Sequence, residues 1–252
     1  MSLRRLLAAC FACVALAGLT ACSTDDSDGP ETLTVLAASS LTGVLEPLQE
    51  ELRKTHPGVV VRVSYAGSPA LVAQVKAGAP ADLLITASPG SVAPLVASEV
   101  LAAPTTIATN SAALIVPAEN PGAVTSIADL ARSKLRIALC DPAVPCGAVA
   151  NKTLATAGVT AAPDTLAPDV KTVLRLVQTG EADAGIVYVT DARSAGSKVR
   201  VIELPPGTAA STSYPACVVE ASKNKVLARE YVALLTSADG EKVLQAAGFG
   251  PA

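Results

Sequence analysis

The sequence has few of the side chains on which many binding and catalytic sites depend. Its 252 residues contain no tryptophan, four tyrosines, two phenylalanines and a single histidine, His56. Sugars and single-stranded nucleic acids usually stack on aromatic faces, so this scarcity argues against both ligand classes. With one histidine, the chain has almost no material for a histidine-built zinc site or a Ser-His-Asp triad. No Gly-x-Ser-x-Gly elbow is present either, so we expect no enzymatic activity.

Charge is also sparse. Charged residues make up 16% of the chain, a level that argues against extended disorder, and the formal net charge is −3 at pH 7. An acidic chain offers no basic face for nucleic acid. The length suits one large domain or two lobes of about 100 residues each.

The first 22 residues have the organisation of an export signal. Arg4 and Arg5 precede an apolar run over residues 6–17 that is too short to span a bilayer comfortably, and Leu19-Thr20-Ala21-Cys22 follows. This tetrapeptide resembles the lipobox of bacterial lipoproteins. The resemblance implies that residues 1–21 are removed and that lipid on Cys22 holds the protein to the outer face of the cell membrane.

The alternatives to lipidation are an ordinary signal peptide and a retained anchor. Residues 22–30 are expected to form a flexible tether, because the segment from Ser23 to Pro30 is polar and has no periodicity. Removing residues 1–21 takes away two arginines and no acids, so the mature charge becomes 17 − 22 = −5. No later segment reaches the roughly 18 consecutive apolar residues of a transmembrane helix.

Three cysteines follow Cys22 in the sequence, namely Cys140, Cys146 and Cys217. In an oxidising compartment, three thiols can form at most one intrachain disulfide. Cys140 and Cys146 are six residues apart across a proline-containing loop, and we expect this pair. The alternative is that all three are small buried hydrophobic side chains.

Alternating strands and helices predict the fold class. Residues 33–38, 59–65 and 82–87 have the pattern of buried strands, and helices are expected to open near Ser39 and Ser68. Ser68 is predicted to be the N-cap of its helix, with Pro69 at the first helical position. The β-α-β-α-β order predicts a doubly wound α/β sheet with right-handed crossovers.

One internal similarity suggests that this plan occurs twice. Residues 74–78 lead through a glycine into Ala81-Asp82 and a strand, and residues 176–180 lead in the same way into Ala182-Asp183. The alternative is that the similarity indicates no repeated plan, because glycine-terminated helices precede strands in many α/β proteins. We predict a first lobe of residues 31–109 and 218–252 and a second of residues 110–217. The crossings near 105–111 and 211–217 would then act as hinges.

Four loops have the chemistry of an anion site. Ser39-Ser40, Gly67-Ser68, Cys146-Gly147 and Asp169-Val170 each lie at the start of a predicted helix. The helix after Cys146-Gly147 is expected to begin near Ala148, and Asp169 is expected to cap the helix that follows it. Helix N-termini expose unpaired N–H groups with partial positive charge, and open α/β sheets bind ligands at the carboxyl ends of their strands. Several such ends facing one cleft would bind an anion without Lys or Arg. For any single serine, a simple helix cap is the alternative.

In this order and spacing, the chain resembles the molybdate-binding proteins of ABC importers. The resemblance covers about residue 32 to 250, and its matching segments are residues 37–42, 77–83, 141–147, 185–188 with Asp191-Ala192, and 214–215 before 218–220. It implies a two-lobed periplasmic binding protein of type II, in which each lobe is a doubly wound mixed sheet flanked by helices. It also implies molybdate or tungstate as ligand, no cofactor, a membrane permease and its ATPase as partners, and a monomer.

The same resemblance implies a set of ligand groups. They are the hydroxyls of Ser40, Ser68 and Tyr188 and the backbone N–H groups of Cys146 and Val170. Ser39 is either an additional ligand or a helix cap, and Tyr188 has packing as its alternative role. Cys146 stands where a small residue such as alanine is usual, and Pro69 removes one N–H group from the second loop.

A site made only of donors suits an oxyanion that carries no proton. Phosphate keeps a proton near pH 7, and that proton would lack a partner in such a site. Sulfate carries no proton and would have to be excluded by size. Sulfate, phosphate or another small anion in the same fold is the alternative function, although the lack of arginine in the loops argues against carboxylates. A structural lipoprotein is a further alternative.

Overall fold

The structure is a computed structural model and describes residues 30–252. The predicted signal segment, Cys22 and the tether up to residue 29 lie outside the described residues. The strands are β1 (Thr32–Ala38), β2 (Val60–Ala66), β3 (Leu83–Ile85), β4 (Thr105–Pro117), β5 (Ile137–Cys140), β6 (Thr165–Ala167), β7 (Ala184–Tyr188), β8 (Val199–Ile202) and β9 (Ser211–Val218). The helices are α1 (Glu46–Thr55), α2 (Ser68–Lys76), α3 (Pro89–Ala97), α4 (Pro145–Thr156), α5 (Val170–Gln178), α6 (Val189–Ala195), α7 (Lys225–Leu235) and α8 (Ala238–Ala247).

The strands follow the order β2-β1-β3-β9-β4-β7-β5-β6, with β8 also paired to β4. β1 runs parallel to β2 and β3, and β5 runs parallel to β6 and β7. β9 is antiparallel to both β3 and β4, and β4 is antiparallel to β7 and β8. Two mixed sheets are therefore linked by β4 and β9, which confirms the predicted α/β class with a doubly wound mixed sheet in each half.

The hydrophobic cores follow the same division. One core contains buried residues between Ala112 and Ala210. Two others contain residues from 33 to 108 together with residues from 214 to 249. The exact lobe boundaries at residues 110 and 217 remain a prediction. Tyr214 and Cys217 pack in the cores of the first lobe, because β9 pairs with β3 over its last residues.

The repeated Ala-Asp motif makes the same contact in both lobes. In the first lobe, Thr34 N–H donates to Asp82 Oδ2 at 2.7 Å and Asp82 N–H donates to Thr34 O at 2.8 Å. In the second, Arg136 N–H donates to Asp183 Oδ2 at 2.9 Å and Asp183 N–H donates to Arg136 O at 2.8 Å. Each aspartate thus fixes the start of one strand against the next, which supports two lobes built on one plan.

The helix starts differ from those predicted. Residues Ser39–Leu41 form one 3-10 turn, and α1 begins only at Glu46. Gly43 adopts a left-handed φ of 79°, so a helix cannot continue through it from Ser39. Pro47 fits only the first turn of a helix, which places the start of α1 next to it. The prediction that a helix opens at Ser39 is therefore wrong.

Ser68 is the first residue of α2, and Gly67 is its N-cap. The prediction that Ser68 caps this helix is wrong, because its Oγ accepts from Ala87 N–H at 3.1 Å. Helix α4 begins at Pro145, three residues before the predicted start near Ala148. Among residues 30–252, no helix combines the length and the apolar character needed to cross a membrane.

The predicted disulfide is confirmed. Cys140, at the end of β5, is bonded to Cys146 in the first turn of α4. Cys217 is a free, buried thiol on β9. The disulfide closes the loop that leads from β5 into α4, next to the pocket described below.

Candidate functional site

A narrow pocket lies where β1 and β2 of the first lobe meet the start of α4, the start of α5 and the end of β7 of the second. About 10 Å³ of it is open to the centre of a water-sized molecule, so the pocket is small. All six predicted ligand residues line it, together with seven others. The full lining is Ala38, Ser39, Ser40, Ala66, Gly67, Ser68, Ala87, Val144, Pro145, Cys146, Asp169, Val170 and Tyr188.

The two lobes are in close contact around this pocket. Gly67, before α2, has no room for a Cβ atom, because that atom would overlap the backbone carbonyl of Pro168 in the other lobe. From β9, Thr212 Oγ1 donates to Ala87 O at 2.7 Å. The lobes therefore touch on both sides of this pocket.

The serine hydroxyls are both buried and both hydrogen-bonded behind the pocket. Ser68 is 2% exposed, and its Oγ accepts the Ala87 N–H, which leaves the hydroxyl hydrogen free to donate. Ser40 is also 2% exposed, and its Oγ lies 2.7 Å from the hydroxyl oxygen of Tyr214. Ser39 is buried too, and its backbone carbonyl accepts from Thr42.

Backbone donors come from two helix N-termini. Cys146 is the second residue of α4, and Val170 is the first residue of α5. Neither N–H has an acceptor within its own helix, since the first four N–H groups of any α-helix lack one. Asp169 caps α5, as predicted, by accepting from Thr172 N–H at 2.9 Å. Both N-termini direct partial positive charge towards the pocket.

Tyr188 ends β7 and is 1% exposed. Its hydroxyl has no hydrogen-bond partner among residues 30–252, although it lines the pocket. Burial, followed by the nearby Tyr214 and Asp191, raises the pKa of the Tyr188 phenol well above its usual value of 10. The phenol is therefore a neutral donor at physiological pH. The Tyr65 and Tyr231 hydroxyls are also buried without a partner, but neither residue lines the pocket.

Neither lysine nor arginine is present among the described residues that line the pocket. Asp169, whose carboxylate caps α5, is the one acidic residue among those that line the pocket. Asp191 is fully buried and pairs with Lys171 Nζ at 2.8 Å. Asp191 Oδ2 also accepts from the Tyr188 N–H at 3.4 Å. Burial raises the pKa of Asp191, and Lys171 opposes that rise.

Sequence reasoning missed the residues behind the pocket. Tyr214 was noted only as part of a matching segment, and Asn110 and Thr190 were not singled out. Asn110 Nδ2 donates to Thr190 Oγ1 at 2.9 Å and to the Tyr214 hydroxyl at 3.4 Å. Contacts of this kind join residues far apart in the chain, so no local sequence pattern predicts them.

His56 lies at the end of α1, where its Nε2 is 2.9 Å from Glu230 Oε2. It does not line the pocket, and neither Ser40 nor Ser68 has a histidine among its hydrogen-bond partners. Within the part of the chain that the structure describes, no three His, Cys, Asp or Glu side chains are grouped as metal ligands.

Comparison with known proteins gives the family. The model of the bacterial extracellular solute-binding protein family matches residues 33–250. The molybdate-binding protein ModA of Mycobacterium tuberculosis is 34% identical over 243 residues, which cover 93% of each chain. The putative ABC transporter substrate-binding lipoprotein YvgL of Bacillus subtilis is 34% identical over 234 residues, covering 90% of this chain and 89% of that protein.

Among solved structures, the substrate-binding domain of a putative molybdenum ABC transporter from Clostridium difficile superposes with a TM-score of 0.66. It is 29% identical, and the match covers 88% of this chain and 99% of that one. The two-lobed fold, the pocket between the lobes and these matches agree with one another. The chain belongs to the bacterial extracellular solute-binding protein family.

Proposed function

We propose that the protein captures molybdate or tungstate between its lobes for an ABC importer, and that it acts by binding rather than by catalysis. The observation that carries this proposal is the Tyr188 hydroxyl, which is buried, lacks a partner among residues 30–252 and lines a pocket of other donors. A buried hydroxyl without a partner is costly, and an anionic oxygen would satisfy it. The curated relative from Mycobacterium tuberculosis, named as a molybdate-binding protein, supports the choice of ion.

The proposed ligand groups are the hydroxyls of Ser40, Ser68 and Tyr188 and the N–H groups of Cys146 and Val170, with Ser39 as an additional candidate. All of these groups can donate, and a tetrahedral dianion without protons has only acceptors to offer. When each of these groups donates to the anion, the proton of hydrogenphosphate gains no matching partner among them. Sulfate has the right charge and protonation, so its exclusion would depend on its smaller size.

Calorimetry tests this proposal. Molybdate, tungstate, sulfate and phosphate are titrated into the chain from Ser23 onward, which contains every described element, after dialysis removes bound anion. We expect one-to-one binding of molybdate and tungstate and much weaker binding of sulfate and phosphate. Tight binding of sulfate or phosphate would keep the fold and discard the ligand. Binding of none of the four would refute the proposal.

We also propose that residues 1–21 are removed and that Cys22 carries lipid, which tethers the protein through residues 22–30 to the outer face of the cell membrane. The Leu-Thr-Ala-Cys sequence supports this, and the relative YvgL is named as a lipoprotein. Cells expressing the full chain should incorporate labelled palmitate, and Cys22→Ser should abolish the label and release the protein from membranes. Labelling of the Cys22→Ser variant would contradict the assignment.

The proposed partners are a membrane permease and its ATPase, which would receive the anion from a monomeric, closed binding protein. Membership of the solute-binding family supports this role. In vesicles containing the permease and its ATPase, the loaded protein should stimulate ATP hydrolysis. Light scattering should give the mass of one chain. A stable dimer, or no stimulation by the loaded protein, would contradict these assignments.

A further inference from the structure

Four side chains form a continuous hydrogen-bonded chain behind the pocket. Ser40 Oγ lies 2.7 Å from the Tyr214 hydroxyl, and Asn110 Nδ2 reaches that hydroxyl at 3.4 Å and Thr190 Oγ1 at 2.9 Å. All four residues are buried. The chain runs from the first lobe, through the hinge strands β9 and β4, to the start of α6 in the second lobe.

The direction of these hydrogen bonds follows from one backbone contact. Asn110 Oδ1 accepts the N–H of Ser111 at 3.0 Å. The amide oxygen therefore faces Ser111, and the Nδ2 group, which can only donate, faces Thr190 and Tyr214. The Tyr214 oxygen is thus an acceptor towards Asn110.

A phenol has one hydrogen to donate, and only one neighbour of the Tyr214 hydroxyl among the described residues can accept it. Among the described residues, its hydrogen-bond neighbours are Asn110 Nδ2, which is a donor, and Ser40 Oγ. The Tyr214 hydroxyl therefore donates to Ser40. Burial raises the pKa of Tyr214 above its usual value, so the phenol keeps this hydrogen at neutral pH.

Ser40 Oγ accepts from Tyr214, and its own hydrogen must therefore point elsewhere. Ser40 is 2% exposed and lines the pocket, so the pocket is where that hydrogen can be used. We propose that Tyr214, oriented by Asn110, is a positioning residue that occupies one lone pair of the Ser40 oxygen and thereby directs the Ser40 hydrogen towards the bound oxyanion. This inference rests on the proposed function of the same pocket.

The positioning has a physical origin. If the Ser40 hydrogen turned towards Tyr214, the Tyr214 hydrogen would have no acceptor, because Asn110 offers only N–H groups on that side. A buried donor left without an acceptor is costly. That cost keeps the Ser40 hydrogen directed into the pocket. The Tyr214→Phe substitution would remove this constraint and leave the Ser40 hydrogen free to turn away from the anion.

The test compares the molybdate affinity of two tyrosine variants. Tyr214→Phe should bind molybdate about ten-fold more weakly than the unchanged protein, as expected for loss of a hydrogen bond that orients a ligand group. The matched control is Tyr231→Phe, which removes a buried hydroxyl that has no partner and does not line the pocket.

A double-mutant cycle with Ser40→Ala separates positioning from general structure. If Tyr214 acts through Ser40, Tyr214→Phe should change the molybdate affinity little in the Ser40→Ala background. Asn110→Ala, which removes the donor to Tyr214, is the second variant should Tyr214→Phe fold poorly. It should also weaken molybdate binding.

The outcomes are distinct. Additive effects in the cycle would overturn the positioning role and leave the proposed function intact. An unchanged molybdate affinity in both Tyr214→Phe and Asn110→Ala would do the same. Failure of the unchanged protein to bind molybdate would overturn the proposed function and this inference with it.

Discussion

At the scale of single residues, the pocket combines groups that each have a hydrogen available to donate. Ser68 uses its oxygen to accept from Ala87, and Tyr188 is a neutral phenol because burial raises its pKa. No charged side chain is needed for such a site, since helix N-termini and hydroxyl groups supply the positive ends of dipoles. The role of each group can be tested by removing one atom at a time.

Tyr188→Phe removes a hydroxyl that has no partner among the described residues. We expect the affinity for molybdate to fall by about ten-fold or more, because a hydrogen bond to a charged group contributes roughly 1.5–3 kcal/mol. The thermal midpoint without anion should hold or rise, since no protein contact is lost. A large fall in that midpoint would instead indicate a packing role, and Tyr231→Phe is the control.

Lys171→Met leaves the carboxylate of Asp191 buried without its partner. Removing one member of a buried ion pair lowers the free energy of unfolding by about 3–5 kcal/mol. Because Lys171 is only partly buried, we expect a loss near the lower end of that range. Burial already raises the pKa of Asp191, so the folded state binds its proton more tightly than the unfolded state does.

The raised pKa of Asp191 determines how the stability of the Lys171→Met variant depends on pH. Its deficit in stability should be largest at neutral pH and should shrink as pH falls through the raised pKa of Asp191, where the carboxyl becomes neutral. Urea unfolding at several pH values measures this. The control is Lys242→Met, whose partner Asp239 is exposed, and it should change stability by under about 1 kcal/mol. A deficit that is independent of pH would argue against the assignment.

At the scale of elements, the sequence predicts much of the architecture and less of the local detail. Buried strands and the Asp169 cap were found because their signals are local, as is the short spacing of Cys140 and Cys146. The start of α1 was missed because Gly43 and Pro47 outweigh the serine-rich turn before them. The contact of Ser40 with Tyr214 joins residues 174 positions apart, so only the folded sheet brings them together.

The Cys140–Cys146 disulfide belongs to this scale, because it fixes the loop that delivers the Cys146 N–H to the pocket. Replacing both cysteines by serine should lower stability by about 2 kcal/mol, as expected for a short closed loop. Molybdate affinity should also fall, since the start of α4 is less well held. Calorimetry and thermal melting measure the two effects. Unchanged affinity would show that α4 needs no disulfide to present its N–H groups.

At the scale of the whole molecule, the two lobes contact each other through backbone at Gly67. Gly67→Ala adds one carbon that overlaps Pro168 only when the lobes are closed. We expect at least ten-fold weaker molybdate binding, an unchanged melting temperature without anion, and no compaction on adding molybdate in small-angle scattering. The control is Gly90→Ala, whose Cβ would lie 3.6 Å from Ser88 Oγ. Normal compaction of Gly67→Ala would contradict this account of closure.

The pocket without lysine or arginine has a consequence for how the protein responds to salt. Sites built on exposed cations lose affinity as ionic strength rises, because dissolved ions screen their charge and counterions must be displaced. Here the attraction comes from short-range dipoles enclosed by protein, which screening barely reaches. Equilibrium affinity should therefore stay nearly constant between dilute and concentrated sodium chloride. The association rate should rise slightly, because an acidic protein repels an approaching dianion until salt weakens that repulsion.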